Sequence, residues 1–449
     1  MKKLIAIAIF SSLFLSACSL NTVFVAGNFN TYEDQNAYRL LSIGHKGGKQ
    51  PWFDPGASLN NNAWTVETNS KGSRIYLGGP FITYNGQPAG RIMVLDLSGK
   101  NMEGLEFFSG SGFDAPVHVI ARDLHFPLKS DQRYIVGGEF TTYNGQPAPG
   151  VIRIMANGDI DPEFDPGTGV DYSPSQNPAR VMTVAFDLNK NRTCFGGSFT
   201  SYNAVNTNNM ICVLSNGRTI PSFNHGASGF TYAPPSPNPS YEGEVDQIAF
   251  DENYEKIYVG GRFNRFNGTE VDSLVRLGTD GDFEFNYQIE GQGTLRALFL
   301  LTETNAIITG GKSYTVETPT GPVTTAYNSL IKIDRDDGAL IPGFAVTPGN
   351  GSDFAGFGYV GLGMAALADG EVVSPGKLYF AGGYTKLNAS SGATFTYYNL
   401  QEDRPLLSID KTTGAIDPDF IFADDFALLG TTKAANIITF RVFETPLFP

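Results

Sequence analysis

The chain has 449 residues, 41% hydrophobic and 12% aromatic, so it can bury a large core and is neither a disordered polar chain nor a collagen-like repeat. Only 17% are charged, and 31 basic against 45 acidic side chains give a formal charge of -14, which disfavours nucleic acid as a partner. The 52 glycines and 26 prolines, among many aromatic and β-branched residues, predict numerous short strands and turns.

Residues 1–17 carry Lys2 and Lys3, an apolar run from Leu4 to Phe10, and Leu15-Ser16-Ala17 before Cys18. The run is too short to span a bilayer, and the small residues before Cys18 suit a signal peptidase. This ending resembles the bacterial lipobox, in which the cysteine thiol is acylated and becomes the mature N-terminus. The resemblance implies a signal peptide over 1–17, lipidation of Cys18, and an anchor with a short tether over 18–22. Ser19, rather than Asp, after the cysteine implies the outer membrane. An ordinary secretory signal with a chance cysteine is the alternative. Removal of the two lysines takes the charge from -14 to -16. The other cysteines, Cys194 and Cys212, fall on neighbouring predicted strands in a compartment that permits disulfides, so a cross-strand bridge and two buried thiols are both compatible with the spacing.

One pattern then recurs along the chain: an apolar strand, a Gly pair, an aromatic residue and a Tyr-Asn-Gly turn. Its marks are Gly27, Gly79, Gly138, Gly197, Gly261, Gly311 and Gly383, spaced 50 to 72 residues apart. An apolar strand precedes each pair, as in Val181 to Phe186 or Val245 to Phe250. A tight turn follows at Tyr84-Asn85-Gly86, Tyr143-Asn144-Gly145 or Phe266-Asn267-Gly268. A third strand comes next, Val151-Ile152-Arg153-Ile154 or Leu274-Val275-Arg276-Leu277, closed by Asn157-Gly158 or Asp280-Gly281. A short fourth strand is predicted at Asp161-Pro162-Glu163-Phe164 and Asp417-Pro418-Asp419-Phe420, where proline is tolerable on an edge. Four antiparallel strands repeated seven times predict an all-β, seven-bladed β-propeller over 23–449.

The units resemble the delta-60 repeat family of bacterial β-propellers, whose consensus runs through Gly-Gly-x-Phe, Tyr-Asn-Gly, a strand with Arg, an Asp-Gly turn and Asp-Pro-x-Phe-x-Pro-Gly. Residues 134–169 match nearly throughout, and fidelity falls in the first, sixth and seventh copies. The resemblance speaks to fold and is nearly silent on activity. Because the first copy starts at its second strand, Asn436 to Phe443 is predicted to pair beside Val23 to Phe29 and close the ring.

Insertions at 171–179, 230–244, 312–328, 349–359 and 385–404 are expected on the face where successive repeats connect. They carry Tyr172, Phe230, Tyr232 and Tyr241, then Phe354, Phe357 and Tyr359, and lastly Tyr397 and Tyr398. Rings on proline-stiffened loops suit binding, because little rotamer entropy is lost on contact. The competing reading is that they cap blade ends and cover the core.

Catalytic signals are thin. His45, His118, His125 and His225 fall in different repeats, with His118 on an inner strand, and no nucleophile elbow, His-Glu-x-x-His or Cys-x-x-Cys occurs. Acidic pairs such as Glu242/Glu244 and Asp424/Asp425 read as exposed acids. Asp334, Asp336 and Asp337 before Gly338 lack the downstream Glu of a calcium loop and read as a hairpin turn. The sequence therefore predicts no cofactor and no metal. It predicts a lipid-anchored, non-enzymatic binding or scaffold propeller facing an envelope protein or glycan. A carbohydrate-active hydrolase or lyase and a glycan-binding lectin are the alternatives.

Overall fold

The structure, a computed structural model, describes residues 20–102, 110–128, 131–171, 178–220, 223, 228–233, 243–290, 298–318, 321–344, 363–365, 376–381, 383–388, 392–397, 406–415, 417–421 and 436–445. They are all-β, with no helix among the described residues. Among the described residues seven principal antiparallel sheets follow one another, each centred on the strand that carries, or ends at, its repeat's glycine pair. In the third sheet Val117–Arg122 pairs with Arg133–Gly138, which pairs with Val151–Met155. The fourth repeats this with Arg180–Asp187, Arg192–Ser198 and Met210–Leu214, and the fifth with Glu244–Phe250, Lys256–Arg262 and Leu274–Gly278. In the first sheet the strand Leu20–Asn28 lies between Leu40–Gly44 and Asn436–Thr445, from the other end of the sequence.

That first strand begins earlier than the sequence suggests. Leu20 pairs with Thr445, so part of the expected 18–22 tether is strand. Pairing with a long partner satisfies backbone groups that would otherwise lie at an open edge.

The Gly-Gly pair has a steric cause on each side. A Cβ on the first glycine would strike the next sheet: 2.6 Å from Val117 Cγ1 at Gly78, 2.7 Å from Val181 Cγ1 at Gly137 and 2.6 Å from Val245 Cγ1 at Gly196. A Cβ on the second would strike backbone within its own sheet: 2.3 Å from Pro116 O at Gly138, 2.0 Å from Arg180 O at Gly197 and 2.2 Å from Glu244 O at Gly261. The pair thus lets a first strand bulge across the second while the neighbouring sheet closes in. The register shifts at Val117/Val119, Val181/Thr183 and Val245/Gln247 mark those bulges. The cores accordingly sit between successive sheets, with Tyr76 and Val94 of the second packed among Val117, Tyr134 and Val136 of the third.

The Tyr-Asn-Gly turns form two-residue hairpins such as Thr142–Tyr143 with Gln146–Pro147. Asn144 and Gly145 have φ of 49° and 75°, as this turn type requires. The Asn144 side chain accepts a hydrogen bond from the Gly112 amide at 2.8 Å, and Asn267 accepts one from Gly229 at 2.8 Å, each reaching the segment that arrives from the preceding repeat. The tyrosine hydroxyl is also used internally. Tyr143 donates to Gly158 O at 2.8 Å, Tyr202 to Gly217 O at 2.7 Å and Tyr84 to Gly99 O. Burial pushes the Tyr143 phenol up to about 12.

The predicted fourth strand is a correction. Among the described residues only the fifth sheet carries one, Phe283–Asn286. Elsewhere the pairing shrinks to single bridges such as Ile154 with Ile160 and Val213 with Thr219. At Asp161-Pro162-Glu163-Phe164 the chain turns instead, because the Asp161 carboxylate accepts the Glu163 amide at 2.9 Å and its carbonyl accepts the Phe164 amide at 3.2 Å. Asp417 does the same for Asp419 and Phe420. Two expected insertion loops also differ. Ala306–Thr318 and Gly321–Asp334 make one long hairpin through 312–328, and Gly383–Asn388 pairs with Gly392–Tyr397 within 385–404. Cys194 and Cys212 face each other across the fourth sheet, 3.9 Å apart at Cα, and are joined by a disulfide.

Candidate functional site

The strand Val117–Arg122 carries a polar cluster at each end. Beyond its C-terminal end, Asp123 accepts from His125 Nδ1 at 2.7 Å and from Arg153 at 3.2 Å. Arg153, 2% exposed, also donates from Nε to Asp161 at 2.6 Å and to the Ser215 carbonyl of the next repeat at 2.7 Å. Arg133 reaches Asp161 and Glu163 at 2.6 Å each, and its guanidinium lies 3.9 Å from the centre of the Phe126 ring. Burial alone would raise Asp161, but the Glu163 amide and the two arginines hold it below the ordinary carboxylate range. This network binds a strand to its own turn and to the neighbouring sheet. Arg276 plays the same part, donating to Arg335 O at 2.5 Å, which explains the arginine in the repeat's third strand.

The cluster at the other end has a different character. Trp64 precedes the first strand of the second sheet, Thr65–Thr68, and its ring lies 4.6 Å from that of His118 at an interplanar angle of 37°. His118 Nε2 lies 2.9 Å from Glu139 Oε1, and the carboxylate accepts its hydrogen. Glu139 follows the third repeat's Gly pair, and its amide bonds Pro116 O at 3.0 Å, which fixes it beside the first strand. The His118 hydrogen bond, opposed by burial and aided by the charge of Arg180, holds Glu139 below its usual range. Arg180, at the start of the fourth sheet, approaches Glu139 Oε1 at 3.9 Å, and its buried Nε has no hydrogen-bond partner. At the corresponding place in the fifth sheet Glu244 and Arg262 stand opposite each other and pair at 2.8 Å. Trp64, His118, Glu139 and Arg180 therefore form one line of contacts across three successive sheets. It offers an aromatic face, a carboxylate and a guanidinium.

The aromatic residues expected at the binding face fare differently. Phe230 is 1% exposed and packs 4.5 Å from Phe263 and 4.6 Å from Phe266, so it is a core residue. Its strand Phe230–Thr231 pairs with the next repeat's hairpin Arg265–Phe266, which buries the ring. Tyr232 is half-buried, and Tyr397 ends the strand Gly392–Tyr397. Tyr172, Tyr241, Phe354, Phe357, Tyr359, Tyr398 and Cys18 lie outside the described residues. At the acidic triplet before Gly338, Asp334 accepts the Asp336 amide at 2.8 Å and so serves the turn. Among the described residues no group of three or more His, Cys, Asp or Glu side chains is placed to hold a metal.

A family model described as a domain of unknown function (DUF5122) beta-propeller matches residues 129–164 and 256–284, the second and third strands of the third and fifth sheets with their turns. No curated protein matches the chain. Among solved structures, dihydro-heme d1 dehydrogenase NirN in complex with DHE is 11% identical with a TM-score of 0.40, over 89% of this chain and 63% of that one. A GH74 enzyme of Niastella koreensis is 11% identical with a TM-score of 0.39, over 84% of this chain and 47% of that one. The chain thus spans less than two thirds of either structure. It is an all-β protein with β-propeller repeats.

Proposed function

We propose that the chain is a closed seven-bladed β-propeller, anchored in the outer membrane through acylated Cys18, that binds an envelope protein or glycan at the cluster running from Trp64 to Arg180. Support for closure comes from the pairing of Leu20–Asn28 with Asn436–Thr445 and from one recurring joint. The amide of Asp54 bonds Ser98 O at 2.9 Å and that of Asp165 bonds Asn216 O at 2.7 Å, each linking a repeat to the turn of the next. Ile421, just after the seventh repeat's turn, bonds Lys46 O in the first repeat at 2.9 Å in the same way. With strand beginning at Leu20, the lipid on Cys18 would lie within about 7 Å of the first sheet. That proximity favours partners at the membrane.

The observation that carries the binding role is a contrast within the repeats. Their recurring Tyr, Asn, Asp and Arg side chains are used in holding turns and seams, and their glycines in close approach. The residue after the Gly pair changes from Pro80 to Glu139, Ser198 and Arg262. The test is crosslinking in intact envelopes with wild type and with a Trp64→Ala/Arg180→Ala double variant. Loss of the wild-type adducts in the variant supports the reading, and unchanged adducts place binding elsewhere. Substituting Cys18→Ala should move the protein to the soluble fraction; retention in membranes refutes the anchor. The hydrogen-bonded His118–Glu139 pair favours a second reading, acid-base cleavage of glycans. It requires new reducing ends or unsaturated products that disappear with Glu139→Gln.

A further inference from the structure

We infer that Trp64, Glu139 and Arg180, with His118 as a positioning residue, form a subsite for one neutral pyranose unit of a glycan. The inference rests on the binding reading above and names its ligand class. Three observations converge on it. Trp64 stays half-buried, whereas the repeats' tyrosines and phenylalanines at Tyr76, Tyr134, Phe140 and Tyr143 are 0 to 1% exposed. Its ring is backed on one side by His118, and its indole N–H makes no hydrogen bond among the described residues. Indole with one side backed is a platform for the C–H face of a sugar ring, flat and apolar with a polar edge.

The second observation concerns the acceptor. Glu139 is held ionised, and His118 occupies Oε1 alone. Oε2 makes no hydrogen bond among the described residues. The third concerns the donor. Arg180 approaches Glu139 only at 3.9 Å, beyond hydrogen-bond range, and its Nε is orphaned, so the guanidinium fork has unused hydrogens. A free carboxylate oxygen beside an unused guanidinium matches two neighbouring hydroxyls, because each hydroxyl both donates and accepts. One hydroxyl gives its hydrogen to Glu139 and the next receives one from Arg180, with the ring laid on Trp64. An acidic sugar fits worse: Glu139 stands next to Arg180, and the chain carries a formal charge of -14.

The test uses the whole protein with Trp52→Phe, so that Trp64 is the sole indole reporter. The methyl glycosides of glucose, galactose, mannose and N-acetylglucosamine are titrated against its fluorescence, with methyl glucuronide as the charged control. At least one neutral glycoside should give a saturable change. Glu139→Gln and Arg180→Ala should each weaken it by about 10-fold or more, since each removes a hydrogen bond to a charged group. The thermal midpoint of Arg180→Ala should stay near the parent's, because the guanidinium reaches Glu139 only at 3.9 Å, and that of Glu139→Gln should fall only slightly, because the amide oxygen still accepts from His118. His118→Ala should weaken binding less than Glu139→Gln and shift its pH profile. No saturable change with any neutral glycoside overturns the inference, as does tighter binding of the glucuronide. A saccharide that binds equally well to Glu139→Gln and Arg180→Ala overturns the subsite while leaving a glycan-binding propeller. Envelope adducts that depend on Trp64 and Arg180 but contain protein alone overturn the ligand class and leave the binding reading intact.

Discussion

The second glycine of each pair offers a direct test of why the sequence repeats as it does. Gly138 has an ordinary backbone conformation, so an alanine there is excluded by space alone. Its Cβ would lie 2.3 Å from Pro116 O and 2.8 Å from Phe140 Cδ1. Against an ordinary carbon contact that is a shortfall of about 1 Å from backbone that is itself bonded into the sheet. Gly138→Ala should therefore cost about 3 kcal/mol, the upper range for overpacking. Gly145 is the control. Its φ is 75° and nothing lies within 4 Å of its would-be Cβ, so Gly145→Ala meets only the left-handed backbone penalty of about 1 kcal/mol. The fourth repeat already tolerates that penalty at Ala204, with φ of 60°. Urea midpoints of the two variants, compared at a common slope, measure the difference. Equal losses, or a larger loss at Gly145, would show that the pair is not there to admit close approach.

Other consequences are smaller but separable. Tyr143→Phe and Tyr202→Phe each remove a buried hydroxyl bond to a turn carbonyl and should cost about 1 kcal/mol in urea midpoint, as Phe266 in the fifth repeat does without. Ala204→Gly should raise the midpoint by up to about 1 kcal/mol, because glycine relieves the left-handed strain. The Cys194–Cys212 bridge closes a sequence separation of 18 residues, so reduction or a Cys194→Ala/Cys212→Ala pair should cost about 3 kcal/mol, read from the midpoint with and without reductant. Acid should destabilise the fold in a defined window. Glu139 and Asp161 titrate below their ordinary values when folded, so their contributions are complete above the unfolded values and vanish as pH falls through the folded ones. Stability should drop below about pH 4, and Asp161→Asn should flatten that drop.

Much of the architecture was legible because each recurring residue answers a local demand. Gly-Gly marks the close approach, Asn-Gly the left-handed turn, and a spare C-terminal strand the missing partner of Leu20–Asn28. The fourth strand was misread because Asp161-Pro162-Glu163-Phe164 resembles an edge strand in composition. Its outcome depends on whether Asp161 bonds an amide two residues on, which no periodicity reveals. The long hairpin through 312–328 was read as a loop because it lacks the Tyr-Asn-Gly punctuation of its siblings. It bears instead the β-branched run Thr315-Val316 opposite Val323-Thr324.

The candidate site was less legible for a reason built into repetition. A consensus draws attention to positions that recur, and in this chain those positions hold turns together. The site lies where repeats differ: Trp64 and Arg180 at the starts of first strands, His118 one residue along another, and Glu139 after a Gly pair. These residues are 54, 21 and 41 positions apart in the sequence, so only the stacking of three sheets brings them into contact. A signal was present nonetheless. Aligning the copies on their glycines exposes the position after the glycine mark as Asn28, Pro80, Glu139, Ser198, Arg262, Lys312 and Tyr384, a place in the motif where charge appears and changes sign, as it also does between Arg180 and Glu244 on the facing strand. A residue dictated by the fold would be the same in every sheet, since every sheet poses the same packing problem. Variation in charge at a geometrically constant position, where a facing side chain does not absorb it as Glu244 absorbs Arg262, therefore points away from folding and towards something outside the chain.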